Sequence, residues 1–148
     1  MAKLPKAKPI SLSQQYLAIK RKYKNIVESK FEKNQIIFKL KIKPTEESEE
    51  YLVRISYKLQ ESPRVVLLEH DLKLYNGKKP HHIYGLENGH PILCLYYPKF
   101  KEWHKNLLIA DTIIPWISTW LFAYEYWQIT GNWNYDESNA LKKTKKIS

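Results

Sequence analysis

The sequence is poor in cysteine, with only Cys94 among 148 residues. A single cysteine excludes an internal disulfide and a cysteine-based metal cluster, and it suits a reducing cytosol. The N-terminal residues include lysines but lack the apolar core of a secretory signal peptide. We therefore expect a cytoplasmic protein.

The sequence also lacks an uncharged apolar run long enough to cross a bilayer. The closest match is residues 107–127, whose length approaches that of a spanning helix. This run contains Asp111 and Glu125, and each charge at the centre of a bilayer costs about 2.5–3.5 kcal/mol on insertion scales. We expect a buried helix here and no membrane association.

Length and charge predict one domain with basic ends. A chain of 148 residues is typical of a single domain and can bury a sizeable core. The net charge is +10, and lysines are frequent near both termini, which favours solvated tails over a nucleic-acid-binding surface. We expect a basic N-terminal arm at residues 1–10, a folded domain at 11–133 and a basic, disordered tail at 134–148.

The first half predicts a helix followed by an antiparallel meander. Ser11 and Gln14 have the spacing of a capping box, and apolar residues at helical spacing extend that helix to about Phe31. Alternation with a period of two then predicts three strands joined by short polar connections, at residues 35–43, 51–59 and 64–68.

The second half predicts a long loop and helices. Residues 70–89 lack periodicity and contain turn signals, so they predict a loop that ends near Cys94. One or two helical turns are expected at residues 101–109. Asp111 or Thr112 is the candidate N-cap of a helix that is buried almost all round and ends at Gly131.

This order of elements, in the α+β class, resembles the ubiquitin-conjugating-enzyme fold. Ser62-Pro63-Arg64-Val65 is similar to that family's proline-and-valine entry to its third strand. Residues 82–95 resemble the family's His-Pro-Asn loop followed by Gly-x-Ile-Cys-Leu, and they end here as Ile92-Leu93-Cys94-Leu95. The resemblance implies an active-site loop that carries Cys94.

The second half is similar to the conjugating-enzyme-like proteins of bacterial antiphage operons, including the cyclic-oligonucleotide-based signalling systems (CBASS). The similar segments are residues 92–98, 102–103, 109–116, 120–122 and 127–133. The likeness spans roughly residues 11–133 and is specific in 82–133. In such operons the protein handles the C-terminus of a nucleotidyltransferase that makes cyclic nucleotides.

The resemblance implies that Cys94 is a nucleophile that forms a thioester with the C-terminal glycine carboxylate of that nucleotidyltransferase. Activation of the carboxylate must come from elsewhere, and no cofactor, metal or nucleic acid is required. The alternative for Cys94 is a buried structural cysteine. The alternative for the protein is a non-catalytic adaptor of the same fold that regulates the nucleotidyltransferase. A basic nucleic-acid-binding module is the third possibility.

Three further residues are supporting candidates by the same resemblance. Leu86 stands eight residues before Cys94, where the family has asparagine, and in a longer loop His82 and Tyr84 align with the family's histidine and asparagine. His82 could assist proton transfer or steady the loop, and Tyr84 could donate to a thioester oxyanion or pack as an aromatic. Asp111 could orient an attacking lysine or cap its helix. The missing asparagine affects isopeptide transfer more than thioester formation.

Histidines near Cys94 suggest two weaker alternatives. His90 could assist proton transfer in place of His82, because histidine titrates near neutral pH. A zinc site from His81, His82, His90 and Cys94 has no standard spacing.

Overall fold

The computed structural model describes residues 8–68, 75–96 and 102–133. Within these ranges the chain forms two α-helices and six strands, which confirms the α+β class. Most of the predicted N-terminal arm (1–7) and the predicted tail (134–148) lie outside the described residues. The elements, in chain order, are α1 (Leu12–Lys22), β1 (Ile26–Glu32), β2 (Gln35–Ile42), β3 (Tyr51–Lys58), β4 (Arg64–Leu67), β5 (Ile83–Glu87), β6 (His90–Leu93), a 3₁₀ turn (Ile109–Asp111) and α2 (Ile113–Thr130).

The first helix begins as predicted and ends early. Ser11 Oγ accepts from the Gln14 N–H at 3.1 Å, and the Gln14 side chain accepts from the Ser11 N–H at 2.9 Å, which confirms the capping box. The helix ends at Lys22, so its predicted extension to Phe31 is wrong. Residues 26–32 instead form β1, because pairing with β2 satisfies their backbone and the β-branched Ile26 and Val27 favour strands.

The predicted meander is confirmed and forms the centre of a larger antiparallel sheet. Among the described residues the strand order is β1-β2-β3-β4-β6-β5. β2 and β3 pair in register along their full lengths. Their inward side chains alternate as expected and are almost fully buried; they are Ile36, Phe38, Leu40, Tyr51, Val53, Ile55 and Tyr57.

The predicted loop at residues 70–89 is wrong in its second part. Residues 69–74 lie outside the described ranges, and β5 and β6 form a hairpin whose turn is Asn88-Gly89. Both turn residues have positive φ, at 51° and 83°, as an Asn-Gly hairpin turn requires. This turn signal outweighs the effect of Pro91, which lies in β6 opposite Leu86.

The last helix is confirmed at both ends but is less buried than expected. It begins after Thr112, holds Pro115 in its first turn, and ends at Gly131, whose φ of 76° suits glycine. Phe122 and Ile129 are 50% and 81% exposed, so the helix is not buried all round. Of the turns predicted at 101–109, the described residues show one hydrogen-bonded turn, in which the Leu107 N–H donates to the His104 carbonyl, and the 3₁₀ turn begins at Ile109. Within residues 8–68, 75–96 and 102–133, no helix is long and apolar enough to span a bilayer.

Candidate active site

Cys94 is the first residue after β6 and lies at the end of the hairpin. Its N–H donates to the His82 carbonyl at 3.0 Å, which extends the pairing of β5 with β6 by one step. Leu93 and Leu95 on either side belong to the hydrophobic core, whereas Cys94 does not. The cysteine side chain is 7% exposed and forms no disulfide.

The carbonyl of Tyr96 brings the thiol and a phenol together. Cys94 Sγ donates to this oxygen at 3.7 Å, and the Tyr84 hydroxyl donates to it at 3.4 Å. Both distances are long for their donor types, so both bonds are weak and an incoming group can replace them at low cost. The Tyr84 hydroxyl and Cys94 Sγ therefore share one acceptor.

His82 contributes its backbone to the site. Its φ is 62°, in the left-handed region, and its carbonyl accepts from both the Cys94 N–H and Trp120 Nε1 at 3.0 Å. Its imidazole packs against Trp133, with 5.4 Å between ring centroids. Trp120 is fully buried in α2, so this helix fixes the backbone on which Cys94 depends.

Glu87 connects the hairpin to the central strands. Its carboxylate accepts from Arg54 of β3, and from Arg64 of β4 at 3.1 Å. Side chains of Arg54 and Glu87 are each 28% exposed, so solvent only partly screens this bond. Among the described residues, Val66 and Ile92 are the one ladder pair that joins the hairpin to β4.

A cavity of about 250 Å³ lies between the start of β4 and the hairpin, and its lining includes both chain neighbours of Cys94 but not Cys94 itself. Most of its wall is apolar, with Val65, Ile92, Leu93 and Leu95, and Tyr84 and Tyr96 complete it. Burial raises the pKa of the Tyr96 phenol, a hydrogen bond with Ser62 opposes this, and the nearby Cys94 adds to it. The Tyr96 phenol therefore stays protonated at neutral pH and can bond with Ser62 at the cavity rim.

Asp111 is engaged with α1. Its carboxylate accepts from Lys22 Nζ at 2.7 Å, and this bond raises the pKa of the lysine. Of the two candidate caps, Thr112 takes the N-cap position, because Asp111 belongs to the preceding 3₁₀ turn, but the Thr112 hydroxyl donates to the Leu108 carbonyl and makes no capping bond to the helix. The described contacts of Asp111 join this turn to α1, and none of them reaches the hairpin that carries Cys94.

The other histidines do not form a ligand set with Cys94 in the described part of the chain. There, no three His, Cys, Asp or Glu side chains are grouped so that they could hold a metal ion. His81 is exposed beside Trp133. His90 begins β6, and its buried Nδ1 has no hydrogen-bond partner among the described residues.

Sequence reasoning missed the residues that support the site. The helical spacing of Trp120 correctly predicts its burial. Because a buried indole N–H usually finds an acceptor, this burial was the available signal that Trp120 donates a hydrogen bond. The acceptor itself, a backbone carbonyl at residue 82, has no signature in the sequence. The same is true of the Tyr96 carbonyl.

The fold and the site together define an α+β protein whose one cysteine is presented by an edge hairpin beside a tyrosine hydroxyl. The sequence model of the family described as Type II CBASS E2 protein matches residues 15–140, which is more than four fifths of the chain. The chain therefore belongs to this family, as the motifs of its second half predict. No curated protein matches the chain significantly.

Proposed function

We propose that this chain has a ubiquitin-conjugating-like fold and is a cysteine-dependent transferase in antiphage defence. Cys94 captures the C-terminal glycine carboxylate of a partner protein as a thioester. The partner is a nucleotidyltransferase that makes cyclic nucleotides, which is the type of CBASS component whose C-terminus the related proteins handle. The observation that carries the proposal is the convergence of the Cys94 thiol and the Tyr84 hydroxyl on the Tyr96 carbonyl.

The chemistry begins with a partner carboxylate that has been activated elsewhere, for example as an acyl adenylate. Cys94 loses its thiol proton, and Sγ attacks the carbonyl carbon. The bond to the leaving group, here the adenylate phosphate, then breaks and the thioester remains. The Tyr84 hydroxyl turns from the Tyr96 carbonyl to the oxyanion, where one well-placed donor is worth about 3 kcal/mol.

The supporting residues position Cys94 and the elements around it. The His82 carbonyl holds the backbone N–H of Cys94, and Trp120 holds that carbonyl. We assign His82 to the geometry of the hairpin, since its ring packs against Trp133. We assign Asp111 to the contact between the 3₁₀ turn and α1, because its carboxylate pairs with Lys22.

Intact mass of the protein co-expressed with its candidate partner tests the proposal. We expect a species heavier by the mass of the partner less one water, which a thiol reductant releases. The Cys94→Ala variant should lack this species and should fold as the parent does, because the substitution removes one sulfur from a site outside the core cluster.

Two outcomes would overturn the transferase. One is a mass that never changes in any preparation, and the other is an equal change in the Cys94→Ala variant. If that variant still binds the nucleotidyltransferase and supports defence, the non-catalytic adaptor becomes the function.

A further inference from the structure

We infer that the cavity beside Cys94 is a recognition pocket for an apolar side chain in the C-terminal tail of the acyl donor. The inference rests on the proposed thioester and names the feature of the tail that the protein reads. Tyr84 and Tyr96 connect the two sites, because both line the cavity and the Tyr96 carbonyl accepts from both the Tyr84 hydroxyl and Cys94 Sγ. We call this cavity the tail pocket.

Chain geometry places the tail near the pocket. When the terminal carbonyl is bonded to Sγ, the preceding residues follow at steps of 3.8 Å between Cα atoms. The residues just before the terminal glycine therefore lie within about 4–8 Å of the reacting atom. The Tyr96 carbonyl accepts from the thiol and from the Tyr84 hydroxyl, and both tyrosines line the pocket. A tail bonded to Sγ therefore runs next to the pocket opening.

The lining selects the chemistry of the side chain. Val65, Ile92, Leu93 and Leu95 offer an apolar wall, and the volume of about 250 Å³ admits one leucine- or phenylalanine-sized group. A carboxylate or ammonium against this apolar wall would lose its hydration, and Arg64, the one charged residue in the described lining, is already paired with Glu87. The pocket therefore favours leucine over alanine, and alanine over aspartate.

The rim excludes a basic tail. Arg64 lies at the rim, is 56% exposed, and shares Glu87 with Arg54. Arg64 would repel a lysine or arginine next to the apolar residue, whereas it would not repel a neutral neighbour and would attract an acidic one. We therefore expect an apolar residue without an adjacent positive charge.

The adjoining cavity is a poor competitor for this side chain. It has about 490 Å³ and shares Ser62 and Arg64 with the tail pocket, but its lining includes Lys58, Glu61 and Glu87. Charges of both signs make it suited to solvated polar groups, and it does not touch Leu93 or Leu95.

Loading from synthetic peptide thioesters tests the inference without an activating enzyme. Cys94 thiolate attacks the terminal glycine carbonyl of the peptide, the new carbon–sulfur bond forms, and the small thiolate leaves and takes up a proton. The peptides carry leucine, alanine or aspartate at the two positions before that glycine. Intact mass gives the loading rate, and we expect leucine to exceed aspartate by about 10- to 100-fold.

A matched pair of variants locates the preference. Ser62→Trp places an indole at the exposed rim of the tail pocket and should reduce leucine-peptide loading to the rate of the alanine peptide. Ser118→Trp makes the same substitution on α2, beside a different cavity of about 240 Å³. It should leave the leucine preference unchanged.

Binding to the Cys94→Ala protein separates failure of the pocket from failure of the thioester. Free-acid peptides of the same three sequences are titrated while backbone amide shifts are recorded by NMR. A leucine preference with shifts at Ile92 and Leu95 supports the pocket even if no peptide loads. Equal loading and equal binding of the three peptides would overturn it, as would the same effect from Ser62→Trp and Ser118→Trp. Absence of loading from every peptide would count against the proposed transferase alone.

Discussion

The meander of β1–β4 and the hairpin of β5–β6 belong to one sheet but are held in different ways. β2 and β3 pair over eight residues each, and their inward side chains are almost fully buried in the core. In the described residues, the Val66–Ile92 pair and the arginine contacts of Glu87 join the hairpin to the sheet, and the Trp120 bond to His82 joins it to α2. The meander therefore depends mainly on buried apolar area, whereas the position of Cys94 depends on these polar contacts together with the burial of Leu93 and Leu95.

The largest effect is expected from truncation of the meander. Phe38 is fully buried in β2 and packs against Tyr16, so Phe38→Ala should lower the free energy of unfolding by about 3–5 kcal/mol. Denaturant titration measures the loss. In native buffer, the rate at which Cys94 reacts with a thiol reagent should rise by no more than the change in global stability explains, because the hairpin contacts are intact.

Val27→Ala is the control for that substitution. Val27 lies in β1 and is 57% exposed, so its truncation should change the free energy of unfolding by less than about 0.5 kcal/mol. If the two variants were equally destabilised, the meander would not be the stable part of the fold.

The next effect concerns the link between α2 and the hairpin. Trp120→Phe removes the indole N–H that the His82 carbonyl accepts and leaves a small void, at a cost of about 1–3 kcal/mol. We expect Cys94 to react several-fold faster with a thiol reagent, beyond what the change in global stability explains. Stopped-flow labelling in native buffer gives this rate.

Trp127→Phe is the matched control. Trp127 is also buried in α2, and it lies seven residues after Trp120 on the same face of the helix. It should cost a similar amount of stability without the increase in Cys94 reactivity. Equal acceleration by both variants would mean that the helix acts through packing and that the bond to His82 has no particular role.

These contrasts also explain what sequence could predict. Apolar and polar residues alternate in β2 and β3 because one face of the sheet is buried, so the sequence of each strand is enough to predict the meander. The hairpin was read as loop because Gly85, Pro91 and short strands weaken any periodic signal there, although Asn88-Gly89 was a sound hairpin signal. β1 was misread because Ile26 and Val27 continue the helical spacing of α1, and only pairing with β2 decides between the two structures.

The site, too, was predictable only where local sequence determines it. Cys94 was identified from the motif around it, and Tyr84 from its place in the loop. The shared acceptor of their side chains is a backbone carbonyl, which depends on tertiary structure alone. The assignment of Asp111 stayed open because one carboxylate fits a cap, a catalytic role and an ion pair equally well, and only the fold brings Lys22 to it.

A smaller effect is expected from the contact of Glu87 with Arg54 and Arg64, which ties the hairpin to the central strands. Glu87→Gln keeps the shape of the side chain but removes the charge shared by Arg54 and Arg64, which should cost under about 1 kcal/mol at a partly exposed pair. Faster labelling of Cys94 should accompany this loss. Glu50→Gln, at an exposed pair with Lys41 on the meander side, should change neither quantity.

The smallest effect is expected for Asp111→Asn, and it tests the division of roles at the site. The carboxylate pairs with a half-exposed lysine of α1, so its neutralisation should leave the unfolding midpoint unchanged within error. Once a Cys94 thioester has been formed, its discharge by free lysine across a pH series reports on the attacking amine. If Asp111 only joins the 3₁₀ turn to α1, the variant and the parent have the same rate and the same pH profile. A profile displaced in the variant alone would show that this carboxylate acts on the amine, and the site would then extend from the hairpin to the start of α2.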